Sequence, residues 1–292
     1  MQTWDIIALL ALAVVLIVQF LTRNIHNSFI TRTISGGVLL LAALLTIING
    51  GWILFFTTLI LSLIGLRELD KAIGVVEENT RTGPLEAAAM AGVVLYYASL
   101  HLFYGRLQVL ALILGLVLLM FVYVFTYPRY RYPQVMGAFF GILYCGVMLS
   151  FVYQTRMLDT GRYLVWLTFI ASWGCDTCAY CAGRVFGKHK MAPVLSPKKT
   201  IEGAVGGIAG AMLLGLLYAS LTRGPRLEYV AICLFGALVS MIGDLAASAI
   251  KRNAGIKDYG KLIPGHGGVM DRFDSVIFAA PVVWMIACAV GM

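Results

Sequence analysis

Four aspartates, five cations and a glycine-rich turn crowd into the stretch from Asp244 to Asp274. Asp244, Ser248, Lys251 and Arg252 recur at i, i+4, i+7 and i+8, which stacks them on one face of a helix. On such a face Asp244 suits a cation, and Lys251 and Arg252 suit phosphate. A plainer arrangement also satisfies the spacing: a buried aspartate paired with a lysine on its own or a neighbouring helix, and two cations snorkelling to the membrane interface. The loop that follows carries Lys257, Asp258 and Lys261, then Pro264-Gly265-His266-Gly267-Gly268. Glycines at 265, 267 and 268 permit positive φ and close approach of backbone amides to an anion. His266 between them is placed to donate to phosphate or carry a proton. Asp271 and Asp274, at i and i+3, open the next apolar run on one face, where carboxylates cap a helix or join substrate phosphates around Mg²⁺.

A second polar stretch lies upstream. Asp176, Tyr180, Gly183 and Gly187 form a stripe at i, i+4, i+7 and i+11. After it, Ser196-Pro197-Lys198-Lys199-Thr200 concentrates hydroxyl and ammonium groups, and Glu202 stands at the start of the next apolar run. Lysines meet a polyphosphate as point charges. Gly203 and Gly207, with Gly206 and Gly210, are overlapping G-x-x-x-G pairs that predict close helix packing. Cys175, Cys178 and Cys181 drift around a helix surface and are read as small packing residues, not as a metal set.

The elements that must hold these groups are membrane helices. The chain has 292 residues, 60% of them hydrophobic and only 12% charged, far below the ~25% of ordinary soluble domains. Apolar runs at 4–22, 34–49, 51–66, 85–104, 107–127, 134–153, 163–183, 203–221, 228–250 and 273–291 predict an all-α polytopic membrane protein of nine or ten spans. Gly50-Gly51 between the second and third runs predicts either a tight hairpin or one broken helix. The first run lacks the basic leader of a secretory signal, so it is expected to stay as a span. With both ends outside, most of the 22 Lys and Arg fall on the cytoplasmic side. The loop 67–84 is expected to be a solvated connection with a short interfacial helix. The whole forms one membrane domain, residues 1–292, whose catalytic half spans about 170–292.

Carboxylates for a divalent cation, cations for phosphate and a glycine turn at the cytoplasmic boundary together describe phosphoryl or nucleotidyl transfer to a lipid. A hydrolase triad is not recognisable among the four histidines. The run "SAIKRNAGIKDYGKLIPGHGGVMDRFD", Ser248 to Asp274, resembles phosphatidate cytidylyltransferases in its S-x-x-K-R, K-D, P-G-H-G-G and D-R-x-D pattern, and "DTCAYCAGRVFGKHKMAPVLSPKKTIEG" resembles that family's second block. The resemblance implies that CTP and phosphatidic acid give CDP-diacylglycerol and pyrophosphate, with Mg²⁺; whether a second cation accompanies it is left open by the sequence. It implies Asp244 and Asp271 as metal ligands with Asp274 assisting. It further implies Lys251, Arg252 and His266 on phosphates, and Ser196, Lys198, Lys199, Glu202, Ser248, Gly265, Gly267 and Gly268 around the substrates. Membrane lipids, no nucleic acid and a homodimer are the expected partners, and a bacterial inner membrane with a cytoplasm-facing site is the expected location. A CTP-dependent polyprenol or phytol kinase and an ion transporter are the alternative readings; the transporter leaves the P-G-H-G-G loop without a purpose.

Overall fold

The computed structural model describes residues 41–76, 82–103, 105–263 and 267–292. The run 4–22, the first part of the run 34–49, and Pro264, Gly265 and His266 lie outside the described residues. Helical residues 41–49 lead to Gly50 and Gly51, both at positive φ (64° and 48°), a conformation that only glycine adopts without strain. A Cβ on Gly50 would also press on the Arg156 guanidinium, which donates to the carbonyls of Ile47 and Ile48 at 3.2 and 3.5 Å. The glycine pair is therefore a break between two helices, with Arg156 closing the carbonyl end of the first.

Beyond it run α1 (Gly51–Ala72), α2 (Pro84–Leu102), α3 (Gln108–Phe125) and α4 (Tyr132–Gly141). A π turn at Ile142–Val147 carries α4 into α5 (Met148–Arg156). Next, α6 (Gly161–Phe169) passes through a second π turn, Ile170–Gly174, into α7 (Cys175–Phe186). Two short strands follow, β1 (Lys190–Ala192) and β2 (Ser196–Thr200), then α8 (Ile201–Thr222), α9 (Arg226–Asn253) and α10 (Met270–Ala289).

The chain is mostly helical, and seven helices among the described residues are long and apolar enough to cross a membrane. The expected seventh span, 163–183, does fall on a continuous helical run, Gly161 to Phe186, which is not among those seven. Its second half carries Asp176, Thr177 and Arg184. Among the described residues the helices are joined by one pair of strands, the antiparallel hairpin β1–β2, with Lys190 opposite Thr200 and Ala192 opposite Ser196, and by an isolated bridge between Ile263 and Gly267. A Pro at 193 and another at 197 remove amide donors there and disfavour a helix.

The loop 67–84 differs from expectation in a way that matters for the site. The first helix does not stop at 66 but continues to Ala72, and it buries Glu68 and Asp70, while Glu86 at the start of α2 is buried too. Arg67 reaches Glu86 at 3.6 Å and donates to Thr82 at 3.1 Å. Charged side chains thus enter the protein at the end of α1 instead of facing water.

Packing divides around α10. Its residues Val276 and Ile277 share an apolar cluster with Leu54 and Leu66 of α1 and Tyr97 of α2, while Val283 packs with Leu164 of α6 and Tyr229 and Ile232 of α9. One helix thereby ties the motif-poor first half of the chain to the motif-rich second half. Within the second half, α7 and α8 cross at their glycines. A Cβ on Gly203 would sit 2.9 Å from the Ala179 carbonyl and 3.2 Å from the Gly183 Cα, so only hydrogen fits. Cys175 and Cys178 pack over Gly207 and Gly210 in the same crossing, as small packing residues should. The hydroxyl of Thr200, the residue before α8, accepts the Gly203 amide at 3.1 Å. Thr200→Ala is expected to cost about 1 kcal/mol through loss of this cap, read as a lower melting midpoint in detergent. An unchanged midpoint would show that the cap contributes nothing.

Candidate active site

A cavity of about 550 Å³ opens where α7, the hairpin, α9 and the start of α10 meet. Close helix packing makes it possible. Gly243 of α9 lies so near α10 that a Cβ there would be 2.8 Å from the Asp274 carbonyl, which brings Asp244, one residue on, beside Asp274. The π turn at Ile170–Gly174 shifts the face of the helix just before Asp176, and π turns of this kind gather at functional sites.

Asp244 and Lys251 share one face of α9 as their spacing predicts, and both line the cavity. Ser196, Lys198, Lys199, Asp271 and Asp274 line it as well. Lys199 forms an ion pair with Asp244, and Lys251 with Asp271 at 2.9 Å. The paired-aspartate arrangement left open by the sequence is therefore real, but the partner of Asp244 comes from the hairpin and not from a helix.

Other predicted residues stand elsewhere. Arg252 is exposed and donates to the Ile256 carbonyl at 3.4 Å, closing the end of its own helix. Glu202 accepts from the Lys188 and His189 amides at 3.0 and 3.2 Å and contacts the His189 ring at 2.6 Å, which folds the loop after α7 onto the start of α8. Ser248, Arg252, Glu202, Gly267 and Gly268 are not among the lining residues. Gly265 and His266 lie outside the described residues.

The described part of the glycine loop spends its amides internally. Gly267, at φ 89°, exchanges backbone hydrogen bonds with Ile263 at 3.1 and 2.8 Å. The Gly268 amide donates to Asp271 at 2.9 Å, as does the Tyr259 amide at 2.9 Å. Each amide is a single donor, so Gly267 and Gly268 do not offer theirs to a phosphate as the sequence reading expected. Asp271, expected as a metal ligand, is likewise engaged: one oxygen takes Lys251, the other takes both amides, and its side chain is 4% exposed. Tyr259 completes the loop by donating its hydroxyl to the Ala247 carbonyl at 3.0 Å, and burial pushes that phenol's pKa upward, so it stays a donor.

With Asp271 set aside, four carboxylates line the cavity: Asp176, Asp244, Asp258 and Asp274. Asp176, Asp244 and Asp274 repel one another across it. Among the described residues no three His, Cys, Asp or Glu converge as a ready-made metal cage. The donor set fits Mg²⁺, which is bound by one or two carboxylates together with water and substrate phosphates. Arg184, Lys198, Lys199, Lys251 and Arg272 line the same cavity, and cations of this kind suit phosphates.

Two contributors carried weaker signals. Asp176 was visible as part of a stripe of small and polar residues. Glu68 had no signal, because nothing in the α1 sequence marks a partner 200 residues away. Its carboxylate accepts the Val269 amide at 3.1 Å and the Met270 amide at 2.9 Å, fixing the start of α10 from behind the cavity.

A family model described as the cytidylyltransferase family matches residues 30–290. The chain is 30% identical over 255 residues to a phosphatidate cytidylyltransferase of Staphylococcus saprophyticus, covering 86% of this chain and 96% of that protein. It is 31% identical over 256 residues to the phosphatidate cytidylyltransferase of Staphylococcus aureus and 32% over 262 residues to that of Staphylococcus epidermidis, with the same coverage of both chains. A match over nearly the whole length, on a membrane-helical chain whose carboxylates and lysines meet in one cavity, places this protein in the cytidylyltransferase family.

Proposed function

We propose that this protein transfers the cytidylyl group of CTP to phosphatidic acid. A phosphate oxygen of the lipid attacks the α-phosphorus of CTP, the bond from that phosphorus to the bridging oxygen breaks, and pyrophosphate leaves; the lipid product is CDP-diacylglycerol. The observation that carries the reading is one cavity between α7, the hairpin, α9 and α10 whose lining joins five aspartates to five lysines and arginines. That composition suits two phosphate-bearing substrates, and the near full-length likeness to phosphatidate cytidylyltransferases supports it.

Asp244 and Asp274 are the residues to hold Mg²⁺, with Asp176 beside them. When bound, the ion supplies charge neutralisation for the triphosphate. Lys199 and Lys198 meet nucleotide phosphates from the hairpin, and Lys251, fixed by Asp271, meets phosphate from α9. Acyl chains stay in the bilayer while the headgroup enters the cavity, and irregular backbone at that depth is tolerated because it lines such a cavity.

The finer topology follows the same reading. The seven long apolar helices, the helical run Gly161–Phe186 and the apolar run 34–49 make nine spans, and the run 4–22 makes ten. With most Lys and Arg on one side, the cavity faces the cytoplasm of a bacterial inner membrane.

The test is purified protein with CTP labelled at the α-phosphorus, Mg²⁺ and phosphatidic acid. Label in the lipid with one pyrophosphate per lipid labelled supports the reading. Transfer of label only from γ-labelled CTP would replace it with a kinase.

A further inference from the structure

We propose that Glu68 is a positioning residue for the reaction, a built-in anion that occupies the N-terminal amides of α10 and thereby sets Asp271 and Lys251. The inference rests on the cytidylyl-transfer reading above.

The start of a helix gathers unpaired amides and positive dipole, and so attracts anions. In this protein α10 begins beside a cavity lined by groups that suit phosphates. The Val269 and Met270 amides do not wait for one, since each is taken by a different oxygen of Glu68, at 3.1 and 2.9 Å. The carboxylate is buried, and it is wedged against Gly260 and Gly268, where a Cβ at either position would collide with it. Those two glycines are therefore needed for the fit of an internal carboxylate.

From there the chain of contacts is short. Glu68 fixes the backbone of 269 and 270; the next residue, Asp271, takes the Gly268 and Tyr259 amides on one oxygen and Lys251 on the other. Glu68 does not line the cavity itself, so it acts only through these groups. It also supplies a role for the first half of the chain, from which the Cys145 thiol meets the same helix start at the Met270 sulfur, 3.5 Å away.

The experiment uses the full-length protein as Glu68→Gln, Glu68→Asp and Glu68→Ala. Gln turns an amide nitrogen toward donors that need an acceptor, so its kcat should fall about a hundredfold while the KM for CTP changes little. Asp, which keeps the charge on a shorter arm, should recover part of that loss. Formate added to Glu68→Ala should raise both its kcat and its melting midpoint, by filling the vacated seat, and should do neither for the wild type. A folded Glu68→Gln protein with wild-type kcat overturns the proposal, and so does a folded Glu68→Ala protein that formate neither stabilises nor activates. If Glu68→Ala does not fold, the Gln and Asp variants decide. Wild-type protein that transfers no label would count against the cytidylyl reading, while the formate effect on melting still tests the anion seat.

Discussion

Asp244→Asn protein is expected to fold, to melt within a few degrees of wild type, and to transfer label from CTP about a thousandfold more slowly. The side chain of Asp244 is 24% exposed in the cavity and paired with Lys199, so an isosteric amide disturbs little packing. What it removes is charge. Lys199 loses its counter-ion, and the proposed Mg²⁺ seat loses its carboxylate on α9, with Asp274 and Asp176 left of that proposed set. Raising Mg²⁺ is expected to recover part of the rate, which separates a weakened metal seat from a misfolded protein. A rate within tenfold of wild type would remove Asp244 from the metal site.

The second large effect belongs to Asp271→Asn, and it differs in kind. Asp271 is nearly buried, with Lys251 at 2.9 Å and two backbone amides on its other oxygen. Breaking such a pair on one side leaves a largely buried ammonium without its counter-charge, a loss of about 3 kcal/mol. An Asn also has one acceptor oxygen where three donors converge. Both stability and turnover should therefore fall, and added Mg²⁺ should restore neither. Melting in detergent and the labelled-CTP assay read the two losses separately. If Asp271→Asn melts like wild type but responds to Mg²⁺ as Asp244→Asn does, then Asp271 is a metal ligand after all and the bracing role assigned to it is wrong.

These two aspartates show how far a linear reading reaches. Both were visible as functional candidates, because ionisable residues at membrane depth are costly and stand out against an apolar background. Their different roles were not visible. Asp244 and Lys251 were placed on one face by helical spacing alone, and that placement holds since both line the cavity. Spacing could not reveal that Lys199, from a hairpin 45 residues earlier, is the partner of Asp244. Nor could it show that Arg252 and Glu202, chemically suitable and close in sequence to lining residues, turn to the Ile256 carbonyl and to His189.

The same division runs through the fold. Hydropathy and composition by themselves determined a helical membrane protein, a break at Gly50-Gly51 and a glycine-lined face on α8, because each depends on residues within a few turns of one another; that α7 is the helix that packs there was decided by the tertiary structure. The motif from Ser248 to Asp274 by itself pointed to nucleotidyl transfer. Tertiary structure alone decided that α1 runs on to bury Glu68, that Glu68 caps a helix some 200 residues away, and that the glycine loop gives its described amides to Ile263, Asp271 and Glu68. The physical reason is that a hydrogen-bond donor or a charge takes whichever partner the packed helices bring within about 3 Å, and in this protein α10 brings the two halves of the chain together.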